Sequence, residues 1–267
     1  MIAHLRSLTT PALSLVFVIS SGLAQDPASR EINTLTELEK VSFNSDSQVV
    51  KFALHNLSDE FLSAWEIELT GYYPNDESRS TSVIFDSAGA FNPQGGMEGV
   101  QPGATRTFEV RVPLSRDLQT AVDVDLQASM ILFERGRGYG NSVTIGEVLE
   151  ARQTRFAELD FWLREFQTVA EDGGSVESIS RCAEKLAQHP QAVVQRSSSR
   201  SNDAAQSERS LVSSFVGQAE KLLKQRMRNE SQAMTELLDL MRMRHNHLKA
   251  HLPRLSNAQS RPAEKQP

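Results

Sequence analysis

The chain has 267 residues, of which 39% are hydrophobic and 23% charged, and its formal net charge is -6. This balance is ordinary for a soluble globular protein of one or two domains and favours no particular partner. The single cysteine, Cys182, excludes an internal disulfide, so packing must stabilise the fold. We interpret Cys182 as a small buried side chain on a helix, with an intermolecular disulfide as the alternative.

The first 24 residues have the pattern of a secretory signal peptide. Arg6 supplies a positive charge, Leu13 to Ile19 form a short apolar core, and Ser21 to Ala24 offer small residues to a signal peptidase. The apolar run is about ten residues, well short of the roughly 20 that span a bilayer. We therefore predict an exported protein, periplasmic or extracellular, with no transmembrane segment in the mature chain. An uncleaved anchor or a buried N-terminal helix is the alternative.

Six or seven short strands are predicted before residue 141. The clearest is Leu62 to Gly71, where alternation places Trp65, Ile67 and Leu69 on one buried face. Turn signals separate the strands and no helical pattern intervenes, which favours an antiparallel sandwich. The other predicted strands are Ile32 to Phe43, whose segment Leu35 to Lys40 could equally be a helical turn, Val49 to His55, Ser82 to Phe85, Thr105 to Val112 and Val122 to Phe133.

Three segments of this region carry a family resemblance. Val50 to Ser58 ends a strand in Asn-x-Ser, Leu62 to Leu69 supplies the next strand, and Gln101 to Pro113 joins a Pro-Gly turn to a Phe-x-Val strand. In these features residues 45 to 135 resemble the FxLYD-type, immunoglobulin-like domains of exported bacterial proteins. The sequence departs from that pattern after Tyr73, where a Pro stands in place of the common Asp. The resemblance implies an Ig-like β-sandwich in an extracytoplasmic setting, and it brings no catalytic residues.

Apolar residues recur at helical spacing after residue 141. We expect the face that carries Phe156, Trp162 and Phe166 to pack on the sandwich or on the later helices. The fold class is therefore α+β, with an N-terminal antiparallel Ig-like β-sandwich followed by a C-terminal α-helical region. The predicted divisions are a signal peptide at 1–24, the sandwich at 31–141, a helical segment packing on it at 142–190, a flexible Ser- and Arg-rich linker at 191–208, a helical hairpin or coiled-coil-like pair at 209–252 and a disordered tail at 253–267.

Four residues of the last helical stretch are spaced seven apart: Met227, Met234, Met241 and Leu248. A heptad of apolar residues is typical of a coiled-coil seam, and an antiparallel helical pair gives a similar stripe. Methionine-rich surfaces also suit partner binding. We predict that these four residues contact a protein partner or a second copy of the chain.

Two histidines near the C-terminal end, His247 and His251, are one helical turn apart and could share a metal ion. The Glu of a His-Glu-x-x-His motif is missing, and Lys249 between the two would repel a cation. We therefore predict no metal site and no cofactor. A metal-binding protein or metal-dependent hydrolase that uses this pair is the alternative.

Other motifs give no catalytic set. Gly136, Gly138 and Gly140 lack the Gly-x-Gly-x-x-Gly spacing of a phosphate loop, which favours a flexible exit from the sandwich. Glu66 and Glu68 share one strand face, where neighbouring carboxylates are usually solvated. No Asp-rich calcium loop and no Gly-x-Ser-x-Gly motif is present. We therefore predict that the protein is not an enzyme.

The leading hypothesis is an exported, non-enzymatic interaction or scaffold protein that binds a partner, or itself, through its C-terminal helices. Nucleic acid is not an expected partner, because the basic last helices lack aromatic residues for base stacking. Ligand capture, such as glycan binding, by the Gly-rich loop at 88–103 is a further alternative to the metal-dependent hydrolase.

Overall fold

The computed structural model describes residues 27–74, 77–91, 99–112, 120–171, 177–189, 191 and 198–253. Within these ranges the fold is α+β, as predicted, with seven strands and five helices. The strands are β1 (Thr36–Asn44), β2 (Val49–Asn56), β3 (Leu62–Tyr72), β4 (Ser78–Asp86), β5 (Thr105–Arg111), β6 (Asp123–Phe133) and β7 (Gly138–Gly140). The helices are α1 (Pro27–Leu35), α2 (Ser142–Glu171), α3 (Ser178–Gln188), α4 (Ser199–Lys224) and α5 (Glu230–Ala250). The predicted signal peptide at 1–24 and the tail from residue 254 onward lie outside the described residues.

The strands form two antiparallel sheets, one in the order β1-β2-β5 and the other in the order β4-β3-β6-β7. The sheets pack face to face over one core. In its centre the Trp65 ring stacks on Phe85 with centroids 5.2 Å apart and lies 4.9 Å from the Phe108 ring of the other sheet. Trp65, Ile67 and Leu69 are all buried, which confirms the face predicted from their alternation.

The beginning of the first predicted strand is wrong. Residues 32–35 belong to helix α1, and β1 starts only at Thr36. The helix brings Ile32 into the core of the two sheets. Its end is marked by the hydroxyl of Thr36, which donates to the carbonyl oxygen of Ile32 at 3.0 Å. Burial of Ile32 therefore outweighs the strand-like pattern of the residues that follow it.

Helices α2, α3, α4 and α5 share a second hydrophobic core, which includes Trp162, Phe166, Val212 and Met241. Residues 225–229 connect α4 to α5 as an antiparallel hairpin. Asn229 begins α5 with a capping box, because its side chain accepts from the Gln232 amide and the Gln232 side chain accepts from the Asn229 amide. None of the helices in the described ranges has both the length and the apolar character that crossing a membrane requires.

Helix α4 begins ten residues earlier than the sequence pattern suggests. It starts at Ser199, so residues 199–208 are helical and the prediction of a flexible linker is wrong there; residues 192–197 lie outside the described part of the chain. The Ser198 hydroxyl caps the helix by accepting from the Ser201 amide at 3.2 Å. Small residues, Ala204 and Ala205, are fully buried on the face toward α2. Close helix packing thus orders a segment whose composition is typical of a linker.

The helical part, α2 to α5, meets the outer face of the four-stranded sheet. Val148 of α2 packs on Ala64, Met130 and Leu132 in a small separate cluster. The other half of that face carries polar side chains from β3, β4 and β6 and faces an open groove. This division fixes where a functional surface can lie.

Candidate functional site

His247 and His251 lie at the C-terminal end of α5, against the chain that leaves β4. Nε2 of His247 is 3.0 Å from the Ser87 carbonyl oxygen, and Nδ1 of His251 is 2.9 Å from the His247 carbonyl oxygen. A carbonyl oxygen only accepts, so both of these ring nitrogens carry hydrogen. The two ring planes are tilted by 37° to each other, with centroids 4.6 Å apart. His247 therefore joins α5 to the chain after β4, whereas His251 bonds back to the last turn of its own helix.

Two arginines, each paired with a carboxylate, lie near the two histidines. Arg152 donates to the His251 carbonyl oxygen at 3.2 Å, and the charge of Arg244 acts on His247. Burial lowers the pKa of His251 to about 4 and also lowers the pKa of His247, so both rings are neutral at pH 7. Across the described residues, no three His, Cys, Asp or Glu side chains converge as metal ligands usually do. The pair suits a packing contact better than a metal centre.

Buried charges hold the same junction together. Arg152 is fully buried, and its Nε and Nη2 atoms donate to Oδ1 of Asp86 at 2.9 and 2.7 Å. Arg155 donates to the other oxygen of Asp86 at 3.2 Å, and burial lowers the pKa of Arg155. Arg244 forms a two-pronged ion pair with Glu208, with N–O distances of 2.8 and 2.6 Å. This network fixes α2, α4 and α5 relative to the end of β4.

The predicted partner-binding stripe is largely internal. Met234, Met241 and Leu248 are buried in the core of the helical part, whereas Met227 is 58% exposed at the turn between α4 and α5. Their seven-residue spacing is thus explained by packing within the helical hairpin. Three of the four residues already contact the chain's own helices, and the prediction that they form a partner surface must be corrected for those three.

Three further predicted features have structural explanations or fall outside the described ranges. Gly138 and Gly140 form β7, and a Cβ atom at Gly138 would lie 2.9 Å from Ile145 of α2, so close packing explains these glycines. Cys182 is buried, and burial raises the pKa of its thiol to about 12. In the Gly-rich loop at 88–103, residues 92–98 lie outside the described chain.

An open groove of about 820 Å³ lies on the side of the β part where β1 and β6 run next to each other. We call it the edge groove. One wall carries Glu37 and Leu38 of β1 with Leu57 beyond β2. The other wall carries side chains of β3 and β6, among them Glu68, Tyr72, Asp125 and Leu126. The groove exists because β7 is short: it pairs only with Met130, Ile131 and Leu132, after which the chain turns into α2.

Backbone groups of β6 point into this groove. The Val124 carbonyl oxygen accepts from Nζ of Lys40 on β1 at 2.8 Å, and the Val124 N–H donates to Oδ1 of Asp123 at 2.8 Å, so the peptide groups of Val124 face away from β3 and are bonded to side chains. Directions alternate along a strand, and Leu126 therefore also presents its N–H and C=O to the groove. No described strand pairs with this stretch of β6 on the groove side.

The opposite wall is also an unpaired strand edge. The Leu35 carbonyl oxygen accepts from the Leu57 amide at 2.9 Å, and Thr36 lies opposite Asn56. By alternation, Glu37 directs its peptide groups toward β2, and Leu38 directs its own toward the groove. Two strand edges thus border one cleft.

The edge groove is acidic and partly apolar. Its described lining includes three carboxylates, from Glu37, Glu68 and Asp125, and no Lys or Arg. The Tyr72 hydroxyl donates to Asp125 at 2.7 Å, an arrangement that raises the pKa of Tyr72. Leu57 is 48% exposed and Tyr72 is 39% exposed, which is high for side chains of this size.

Sequence reasoning identified Glu68 only as a solvated carboxylate and did not identify the groove. One signal was visible: Glu68, Thr70 and Tyr72 alternate along β3 on the face opposite Trp65, so an aromatic residue ends a polar row. Glu66, by contrast, is buried and accepts from the Ser129 hydroxyl at 2.9 Å. The juxtaposition of β1 with β6 depends on topology and has no signature in either strand alone.

Comparison with known families and with curated proteins gives no match to this chain.

Proposed function

We propose that this protein is an exported, non-enzymatic interaction protein that binds a protein partner through the edge groove. The observation that carries the proposal is the meeting of two unpaired strand edges in one open cleft with exposed Leu57 and Tyr72. Unpaired edges and exposed apolar side chains are features that mark interaction sites. The export part of the proposal is supported by the signal-peptide pattern of the first 24 residues.

We further propose that the β part is an Ig-like sandwich of the FxLYD type. The strand order supports this, because the chain passes from one sheet to the other between β2 and β3, between β4 and β5 and between β5 and β6. The Asn-x-Ser motif supports it as well. Asn56 donates to the carbonyl oxygens of Glu60 and Val100 at 2.7 and 2.9 Å and accepts from the Ser58 hydroxyl at 2.7 Å. The motif therefore shapes the turn that joins the two sheets.

The helical part acts in this proposal as a rigid support. Its apolar stripe is internal, and the ion pairs of Asp86 and Glu208 join it to the sheet. A partner bound in the edge groove would contact β1 of the three-stranded sheet, together with β3 and β6 on the half of the four-stranded sheet that α2 leaves uncovered. The helices can then hold the sheet in one shape without entering the interface.

Site-specific cross-linking tests this function. A photoreactive residue at Gln127, which lines the groove, should form an adduct with another exported protein, whereas the same residue at Ser210 on the exposed face of α4 should not. The adduct should disappear in the variant Glu68→Lys/Asp125→Lys and persist in Glu109→Lys, an exposed carboxylate on β5 outside the groove. Adducts that form equally at both positions, or that ignore the groove charges, would contradict the proposal.

A further inference from the structure

We infer that the partner enters the edge groove as an extended, positively charged segment that adds a strand to the free edge of β6. This inference rests on the proposed function and specifies the chemistry of the partner. It follows from the unpaired backbone of β6, from the alternation of its side chains and from the charge of the groove.

The free edge begins where β7 ends. β7 covers β6 only at Met130 to Leu132, so a strand added in line with β7 would lie beside Asp123 to Ala128. The N–H and C=O groups of Leu126 are available there to pair with such a strand. Main-chain pairing at a sheet edge is a general mode of peptide recognition. Helix α1 bounds the end of the cleft next to β7, because its residue Ile32 packs beside Gly140.

The two faces of an added strand would meet different surroundings. On the outer face, Asp125 and Gln127 of β6 are exposed, and Glu68 lies on the neighbouring strand. On the inner face, Leu126 packs against the sheet core and Leu38 lies on the opposite wall. Side chains of a strand alternate between faces. The best-matched segment therefore alternates basic residues with apolar residues.

A second copy of this chain that paired through its own β1 or β6 edge would match the groove poorly. The strand edge nearest to the cleft, β1, has the sequence Thr-Glu-Leu-Glu-Lys at its start, and β6 begins Asp-Val-Asp. Either edge would bring carboxylates against Glu37, Glu68 and Asp125, which is unfavourable. Lys40 is a cation at this edge, and its Nζ donates to Oδ1 of Asp123 and to the Val124 carbonyl oxygen at 2.8 Å each. A lysine on an edge strand is a common guard against unwanted pairing, and a bound segment would take over its contact with Val124.

Fluorescence anisotropy with labelled hexapeptides tests the inference on the full-length chain. The probe alternates valine and lysine; one control alternates valine and glutamate, and another is the valine–lysine peptide with alternate backbone nitrogens methylated. We expect the valine–lysine peptide to bind at least about tenfold more tightly than either control. The valine–glutamate peptide lacks the positive charge, and the methylated peptide lacks backbone N–H donors. Binding should also weaken about tenfold or more in Glu68→Gln/Asp125→Asn, and it should not change in Glu109→Gln.

Each contrary result has one meaning. Equal affinity for the methylated peptide would overturn strand addition, and equal affinity for the valine–glutamate peptide would overturn the cationic partner. A groove-dependent dimer of the chain would show that the occupant is a second copy, against the inference. If no peptide binds while the Gln127 cross-link still depends on Glu68 and Asp125, the inference fails and the proposed function stands. Loss of that dependence is a failure of the proposed function itself.

Discussion

A buried ion pair connects two of the helices. Arg244 and Glu208 are each 1% exposed, and they form a two-pronged pair between α5 and α4, with Arg244 also lying over the Phe91 ring at 5.4 Å. A buried ion pair gains little over a well-packed apolar pair, but removal of one partner leaves an uncompensated charge. The largest effect on stability is therefore expected when one partner of the pair is removed and the other stays buried.

The variant Glu208→Gln should lower the free energy of unfolding by about 3–5 kcal/mol, because the Arg244 guanidinium stays buried without its counter-ion. The double variant Glu208→Leu/Arg244→Met should recover most of that loss. Urea unfolding measures both. As the matched control, Arg228→Gln breaks an exposed pair with Glu236 and should cost no more than about 1 kcal/mol. Equal losses at the buried and exposed pairs would contradict the structure of this junction.

Stability should fall in acid because of His251. Its folded pKa is lowered to about 4 by burial, below the ordinary value of 6.5, so folding favours the neutral ring. The contribution of His251 to the free energy of unfolding is fully present above pH 6.5 and is lost as the pH falls from 6.5 through about 4. The total loss is up to about 3 kcal/mol. The neighbouring Arg152 and His247 oppose its protonation, and Asp86 favours it.

The variant His251→Gln keeps a donor for the His247 carbonyl oxygen but cannot titrate. Its unfolding free energy should therefore depend less on pH between 6.5 and 4 than that of the unaltered protein. His189→Gln, at an exposed position, should retain the original pH dependence. If unfolding curves of His251→Gln and of the unaltered protein fall in parallel over this range, His251 is not buried in the neutral form.

At the scale of elements, the short strand β7 determines both the start of α2 and the length of the edge groove. Gly140 ends β7 with a φ of +97°, a left-handed conformation that favours glycine. A Cβ atom at this position would overlap the Ser129 carbonyl oxygen and lie 3.0 Å from the Cα atom of Met130. The close approach of β7 to β6 therefore requires glycine.

The variant Gly140→Ala should destabilise the protein by about 1–3 kcal/mol, because backbone strain and a clash with β6 add together. Gly146→Ala is the matched control within α2, where a Cβ atom meets nothing within 4 Å. That control should be neutral or stabilising by up to about 1 kcal/mol, since alanine is the better helix former. Thermal unfolding distinguishes the two. A similar loss in both variants would argue against tight packing of β7.

The sequence allowed good prediction of those elements whose pattern reflects burial on one face. Trp65, Ile67 and Leu69 show this for β3, and Val148, Trp162 and Phe166 show it for α2. The start of α4 was missed because its buried residues are small or polar: Ser201, Ala204, Ala205 and Glu208 follow helical spacing, but their type resembles that of a linker.

The candidate site was beyond prediction for a different reason. The edge groove depends on β1 lying beside β6 and on β7 covering only three residues of that strand, and both are properties of topology. The histidines illustrate the converse case. His247 and His251 do come together, as their spacing predicted, but the carbonyl oxygens of Ser87 and His247 occupy one nitrogen of each ring.

At the scale of the whole molecule, the two hydrophobic cores and the edge groove lie in different parts of the fold. The two cores, one between the sheets and one among the helices, take up nearly all of the large apolar side chains in the described ranges. The Met and Leu stripe of α5 belongs to the helical core, apart from Met227. The edge groove is where unpaired backbone, acidic side chains and exposed apolar groups coincide. We therefore propose partner binding for the β part and a supporting role for the helices.

The most direct test of this assignment is amide hydrogen exchange, measured by NMR at each residue with and without the valine–lysine hexapeptide. We expect slower exchange at Leu126, whose amide faces the groove, and no change at Asp125 and Gln127, whose backbone pairs with β3, or at Val124, whose amide already donates to Oδ1 of Asp123. Met234 and Met241 should also be unchanged. Protection confined to β6 in this alternating pattern would support the groove as the binding surface. Protection along α5, or none in β6, would contradict it.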